Sequence, residues 1–477
     1  MLHSSASVSW YLTPRCTRLT KTRQNKFTNL TMHSKYKNKW ITLLSPARLV
    51  FDNKNRPSWG ENDETNENRS PFERDCERVL FSSPFRRLAG KTQVQPFPEI
   101  DYIHNRLTHS IEVASVSYSL AADVGRFLHL KGDIDERQKE HVCWIAKAAG
   151  MAHDIGNPAF GHAGEQAIKW WAQQPHAKAK LSCKEDFQNF DGNAEAFRMV
   201  VRNDLRNACH FHFTAASLGA LVKYPLRLKG RNTKDKLGVF SSEEEIFDTL
   251  WEHLGLEQGN GTVRHPLSFL VEAADDICYR ILDLEDAVRL NHLDESQVRT
   301  IFESFRPEST QKGTNQSIER LRGECIQSLV SCFADAFKMN YAEIIEGTFP
   351  HCSLKDVVQK TFPNIGAGLD AISNAYDKLF FERHKLLLET GCFHLYETIL
   401  STYIDIMEDV FRHGVMQPYG NLSCRVKKLI RLAWSEDYYE KQRNRKDADR
   451  RWWEHMVLDF ITGMTDAYLN SLAQQLG

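Results

Sequence analysis

A chain of 477 residues, 42% of them hydrophobic, can bury a large core and has room for roughly two or three units or one large helical body. With 61 Lys and Arg against 62 Asp and Glu the net charge is −1, so the chain is no polycation and any nucleic-acid contact has to be a local patch. The 11 cysteines show no CxxC and no paired spacing, which argues against a disulfide framework or a zinc–thiolate site and for a reduced, cytoplasmic protein. No apolar run reaches membrane-spanning length, so a soluble protein is expected.

Residues 1–50 hold no Asp or Glu but are rich in Lys, Arg, Ser, Thr and Asn. That composition fits a transit peptide, a disordered arm or a start assigned too far upstream, and Met32 before a short basic lead into Trp40 favours the last. No fold is expected over residues 1–38. Residues 52–70 are polar and without periodicity, as in a loop. Pro71–Gly90 has the pattern of an amphipathic helix, a turn and a second, basic helix, after which Arg86, Arg87 and Lys91 form a charge cluster suited to a solvated face. From Asn105 to Leu130 the apolar residues cover so wide a helical arc that the helix must be central. Arg106 and His109 fall in its first turn.

The apolar run Val142–Met151 predicts a buried helix ending in His153 and Asp154, which have to be paired or bind a metal because an unpaired buried carboxylate is costly. Gly156 and Pro158 break it, and a further helix starts near Gly161, with His162 and Glu165 three apart on one face. Phe190–Val201 is a short helix entered through Asp191, Gly192 and Asn193. Thr214–Tyr224 is an apolar helix ending at Lys223 and Tyr224, followed by a basic loop that includes Lys236. On the helix Leu267–Leu290, Asp275, Tyr279 and Asp283 form a stripe, either lining a cavity or facing solvent. Beyond residue 291 the pattern stays helical, with breaks near Pro307, Gly313, Pro350, Pro363 and Pro418. Arg425–Trp453 interleaves basic residues with aromatics, which fits single-stranded nucleic acid or plain helix packing.

His109, His153, Asp154 and Asp275 are the metal-competent residues on buried helices. They make a mixed nitrogen–oxygen set, suited to Mg or Mn, with Fe, Ni or Zn as alternatives. His162 and Glu165 stand where an acid–base pair is needed, and Arg106, Lys223 and Lys236 can neutralise phosphates. Together these predict a metal-assisted hydrolase of a phosphate ester.

The quartet resembles that of HD-domain hydrolases. The words FSSPFRRLAGKTQV, NRLTHSIEVA, MAHDIGNPAFGHAGE, FDGNAEAFR, LVKYP, EAADDICYRILDLEDAV and DFITGMTDAYLNSL resemble the dGTP triphosphohydrolase family. The resemblance implies an all-α fold, with an HD core over residues 39–290 and a C-terminal helical region over 291–477 that closes the pocket and serves oligomerisation. It implies a divalent ion on His109, His153, Asp154 and Asp275, and catalysis by His162 and Glu165. Phosphate contacts fall to Arg106, Lys223, Tyr224 and Lys236, a 3′-hydroxyl contact to Gln93, and deoxyribose packing to Tyr279 and Asp283, with Asn193 near the pocket. The implied reaction takes dGTP to deoxyguanosine and inorganic triphosphate. The implied partners are copies of the same chain, as in a hexamer, and a single-stranded DNA or nucleotide effector. Gln95 stands where the family has Phe, and residues 178–188 do not align. A phosphodiesterase of the HD class, or a nucleic-acid-binding regulator with a nucleotide pocket, is the alternative.

Overall fold

The three helices that carry the metal-competent residues each start on a residue that caps them. Asn105 accepts Leu107 N and Thr108 N at 3.0 and 3.1 Å, and Thr108 Oγ1 accepts Asn105 N at 3.1 Å, closing a capping box on the helix Arg106–Leu130. Asp135 and Gln138 do the same for Glu136–Ala152. His265 caps Pro266–Arg289, whose proline sits at the first helical position, where its missing N–H does no harm. The computed structural model describes residues 35–52, 56–60, 69–93, 103–202, 211–228, 236–258, 261–306, 316–350, 353–380, 383–445 and 448–477. The chain there is all-α, apart from three short antiparallel hairpins among the described residues.

Arg106–Leu130 and Glu136–Ala152 pack along their lengths, and Pro266–Arg289 lies across both. Their shared apolar faces, together with Trp40, Phe72 and residues on to Tyr376, form a first core. A second core joins Ala159–Ala194, Leu237 and Phe240 to residues from Cys392 to Ala473. Neither core keeps to one side of residue 290. Arg198 bridges toward the second: fully buried, it donates to Glu243 at 2.6 Å and to both Asp459 oxygens at 2.7 and 2.8 Å. Burial alone would raise the Glu243 carboxyl, but Arg198 and Arg202 hold it at about 2.

Several expectations change. Residues 1–34 lie outside the described residues, but helix begins at Lys37, before Lys39, because Trp40 is anchored by an Nε1 bond to Tyr341 Oη at 2.8 Å. Within the supposed loop 52–70, Pro57–Gly60 pairs as a strand with Arg48–Phe51, held by Trp59 stacking on His253. Lys91 is not on a solvated face: it is 2% exposed, and its Nζ donates to the carbonyls of Asn157 and Thr462 at 2.6 and 2.7 Å. The helix expected to run to Tyr224 stops at Leu221, and Lys223 and Tyr224 follow outside it, before Pro225. Pro363 opens a helix, Pro363–Phe380, rather than interrupting one. Pro307, Gly313 and Gln95 lie outside the described residues.

In the basic–aromatic stretch, Trp434, Tyr439, Trp452 and Trp453 are buried. Helix packing accounts for them, and they are not presented for stacking on bases. No helix among the described residues is long and apolar enough to cross a membrane.

Candidate active site

Three helices bring the donors together. His109, in the first turn of Arg106–Leu130, places Nε2 3.2 Å from Asp275 Oδ1. His153 ends the helix Glu136–Ala152 and turns Nδ1 onto the carbonyl of Gly150 at 2.7 Å. That bond puts the proton on Nδ1 and leaves the Nε2 lone pair for another use. Nε2 is buried without a hydrogen bond, 3.3 Å from Asp154 Oδ1 and 3.7 Å from Asp275 Oδ1. The ligand atoms of His109, His153 and Asp275 all lie within 4.8 Å of one another. Asp154 borders them but is engaged: Arg106 Nη1 donates to Oδ2 at 2.6 Å and Asn157 Nδ2 to Oδ1 at 2.5 Å. Two imidazoles and a carboxylate around an orphaned buried nitrogen fit a divalent ion with nitrogen and oxygen ligands.

Burial alone would raise the Asp275 carboxyl, but Lys223 and the His109 hydrogen bond hold it far below the usual range. Lys223 is raised in turn: burial opposes its charge, and Asp275 and Glu272 favour it more strongly. A second donor group, Cys183, Asp186 and His455, differs. His455 Nδ1 bonds to Arg451 O at 2.9 Å, its Nε2 lies 3.1 Å from Asp186, and Cys183 Sγ donates to Glu454 at 2.8 Å. Those donors are satisfied by the protein itself.

The loop between His153 and His162 depends on its glycines. A Cβ on Gly156 would fall 2.1 Å from Ala196 N, in the backbone of the helix Gly192–Val201. A Cβ on Gly161 would fall 2.4 Å from Arg106 Nη2. Phe160 and Gly161 are both left-handed, with φ of 58° and 54°, a conformation that costs a side-chain-bearing residue about 1–2 kcal/mol. The helix Gly161–Gln173 then presents His162, with a side chain 75% exposed, above a nearly buried Glu165 whose Oε2 is 3.1 Å from His162 Nδ1. Glu165 Oε1 accepts Gly192 N at 2.8 Å. Burial works against the Glu165 charge, yet the His162 ring beside it keeps the carboxyl below its ordinary value.

A cavity of about 180 Å³ brings together His153, Asp154, His162, Glu165, Asn193, Lys223, Tyr224, Lys236 and Asp275. A larger one, about 350 Å³ between Arg87, Trp434, Phe460 and Tyr468, has no histidine on its lining. Five expected site residues stand apart from the smaller cavity's lining. His109 lies behind Asp275. Arg106, expected on phosphate, is 8% exposed and held by Asp154 beneath Gly161. Gln93 is half-buried, with Oε1 lacking a hydrogen bond. Tyr279 stacks on Tyr376 at 5.1 Å, and Asp283 accepts Tyr376 Oη at 3.0 Å. The Asp275–Tyr279–Asp283 stripe therefore faces the helix Pro363–Phe380 as well as the site, and burial pushes the Asp283 carboxyl up to about 7.

Sequence reasoning missed Asn157 and Glu272, which also line the cavity. Asn157, a lone polar residue between Gly156 and Pro158, offered a signal. So did Glu272, three positions before Asp275 and thus on its face.

An HD domain matches residues 106–291, the span that holds the metal donors, His162 and Glu165. A protein of Pseudomonas aeruginosa (strain LESB58) is 32% identical over 472 residues, covering 92% of this chain and 98% of the relative. One of Synechocystis sp. is 31% identical over 464 residues, with the same coverage, and one of Listeria monocytogenes is 29% identical over 471 residues, covering 90% and 98%. Each is named a deoxyguanosinetriphosphate triphosphohydrolase-like protein. The chain belongs to this family. It is an HD-domain hydrolase, and HD-class binding of a divalent metal agrees with the converging donors of His109, His153 and Asp275. Family membership also accounts for the near-full-length likeness, since the second core draws on residues far beyond the HD span.

Proposed function

We propose that the chain hydrolyses deoxynucleoside triphosphates, dGTP above all, to a deoxynucleoside and inorganic triphosphate. One observation carries the reading: a single cavity is lined by metal donors, a His–Glu pair and two lysines. The dGTP preference is supported by the names of the relatives.

His109, His153 and Asp275, joined by Asp154 once it is released from Arg106 or Asn157, would hold a divalent ion, which supplies a Lewis acid for a phosphoryl oxygen. Lys223 and Lys236 line the same space and would neutralise the phosphate chain, Arg106 joining them when it leaves Asp154. Tyr224 and Asn193 would complete that wall. Glu165 holds the proton of His162 on Nδ1, so that Nε2 can exchange a proton with the 5′-oxygen or the attacking water. Gln93, Tyr279 and Asp283 would meet the sugar, where a ring stacked in place by Tyr376 leaves little room for a 2′-hydroxyl. Association with further copies of the chain and a response to single-stranded DNA belong to the same proposal.

The test is incubation with each deoxynucleoside triphosphate and Mg²⁺ or Mn²⁺, with products separated by ion exchange. Inorganic triphosphate and deoxyguanosine should appear from dGTP and vanish in Asp154→Ala. Release of orthophosphate or pyrophosphate instead, or activity only on a phosphodiester, would overturn the reading.

A further inference from the structure

The junction of the helices Arg450–Thr462 and Asp466–Leu476 grips segments that flank the site, one of them 306 residues away. Asp466 is 5% exposed. Its Oδ1 accepts Phe160 N at 2.8 Å, and its Oδ2 accepts Thr92 N at 2.9 Å along with the Thr92 hydroxyl. On either side the grip is reinforced. The Thr462 carbonyl accepts the Lys91 ammonium, which also holds the Asn157 carbonyl. Thr465 Cγ2 lies 2.7 Å from where a Cβ on Gly90 would be, so the two segments meet in backbone-close contact. A carboxylate taking three donors holds them with charge-assisted bonds, stronger than neutral ones.

The two segments so held are the ones that matter most for placement. Phe160 stands two residues before His162, in the left-handed step that starts the His162 helix. Thr92 adjoins Gln93. We infer that Asp466 is a positioning residue for the active site, fixing the His162 helix through Phe160 and the Gln93 segment through Thr92. The inference rests on the reading of His162 as the proton-transfer group. An amide cannot replace this carboxylate, because its single acceptor oxygen serves one segment while its NH₂ faces the N–H donor of the other.

Asp466→Asn and Thr92→Val test it, with three readouts: Mn²⁺ calorimetry, hydrogen exchange, and kcat and KM for dGTP. In Asp466→Asn the Mn²⁺ stoichiometry and affinity should match wild type. Exchange should quicken over residues 160–165 and stay unchanged over 266–289. kcat should fall roughly 10- to 100-fold, as misplacement of a reacting group predicts. Thr92→Val should raise KM more than it lowers kcat. Unchanged exchange over 160–165 in Asp466→Asn would overturn the inference, as would a fall in kcat matched by an equal fall in Mn²⁺ stoichiometry, the mark of lost folded protein. Absence of triphosphate from wild type would instead sink the triphosphohydrolase reading, and the exchange comparison would still decide whether Asp466 holds the His162 segment.

Discussion

The two walls of the cavity are built on opposite terms. The metal-donor wall takes His109, His153 and Asp275 from three helices whose apolar faces lie in the first core. Its groups are held by short-range caps and by each other, with His109 only 2% exposed. On the facing wall His162 is exposed, sits just past two left-handed residues, and is backed by the second core with residues from Cys392 to Ala473. Ion ligands work best when fixed and dry, whereas a proton-transfer group has to meet both water and a leaving oxygen. On the roles proposed above, those demands fall to two cores that meet at one cleft.

Breaking each wall separately gives the largest effects. Asp275→Asn should abolish turnover and weaken Mn²⁺ binding beyond the roughly 10- to 100-fold typical of losing a supporting partner. His162→Ala should cut turnover about 10²- to 10⁴-fold and leave the Mn²⁺ isotherm alone. Calorimetry beside the product assay separates them, and a His162→Ala protein that loses Mn²⁺ binding would erase the distinction between the walls.

Arg198 ties together elements of the two cores. Arg198→Ala leaves Asp459 buried without its arginine and Glu243 with Arg202 as its remaining arginine, and should cost about 3–5 kcal/mol, read as a lower urea midpoint at unchanged slope. A midpoint within error of wild type would mean that the bridge adds nothing.

The smallest expected effect sharpens the contrast through pH. His265 caps the Asp275 helix and hydrogen-bonds the carbonyl of Leu43 at 3.0 Å, and burial lowers its imidazole to about 4. Unfolded, it takes up a proton near pH 6.5. Stability from this group is therefore fully present above pH 6.5 and drains away as pH falls toward 4, by about 3 kcal/mol in all. His265→Gln should flatten that part of the unfolding profile, and parallel profiles for the two proteins would remove His265 as its cause.

Much of the metal wall was legible because its signals are local. Asn105 and Pro266 mark helix starts, and the boundaries 105–130 and 267–290 read from the sequence differ by a residue from the helices Arg106–Leu130 and Pro266–Arg289. The roles of His162 and Glu165 were suggested by spacing and assigned by family likeness. What stayed hidden depends on distant partners. Nothing near Lys91 announces that its charge is buried against the carbonyl of Thr462, and nothing near Tyr279 announces Tyr376. Pro57–Gly60 reads as loop because its strand character comes from Arg48–Phe51 and His253, not from alternation of its own.

The second core has a consequence for the order of synthesis. A chain emerging from the ribosome folds its early segments first, and every helix that supplies a metal donor is made by Arg289. The partners of the His162 helix, from Arg383–Asp405 to Asp466–Leu476, come out last. A nascent chain has thus made the helices that carry its ion donors before either core is complete, since the first core runs on to Tyr376 and the second to Ala473, and the packing around the cleft closes only when the last helix is out.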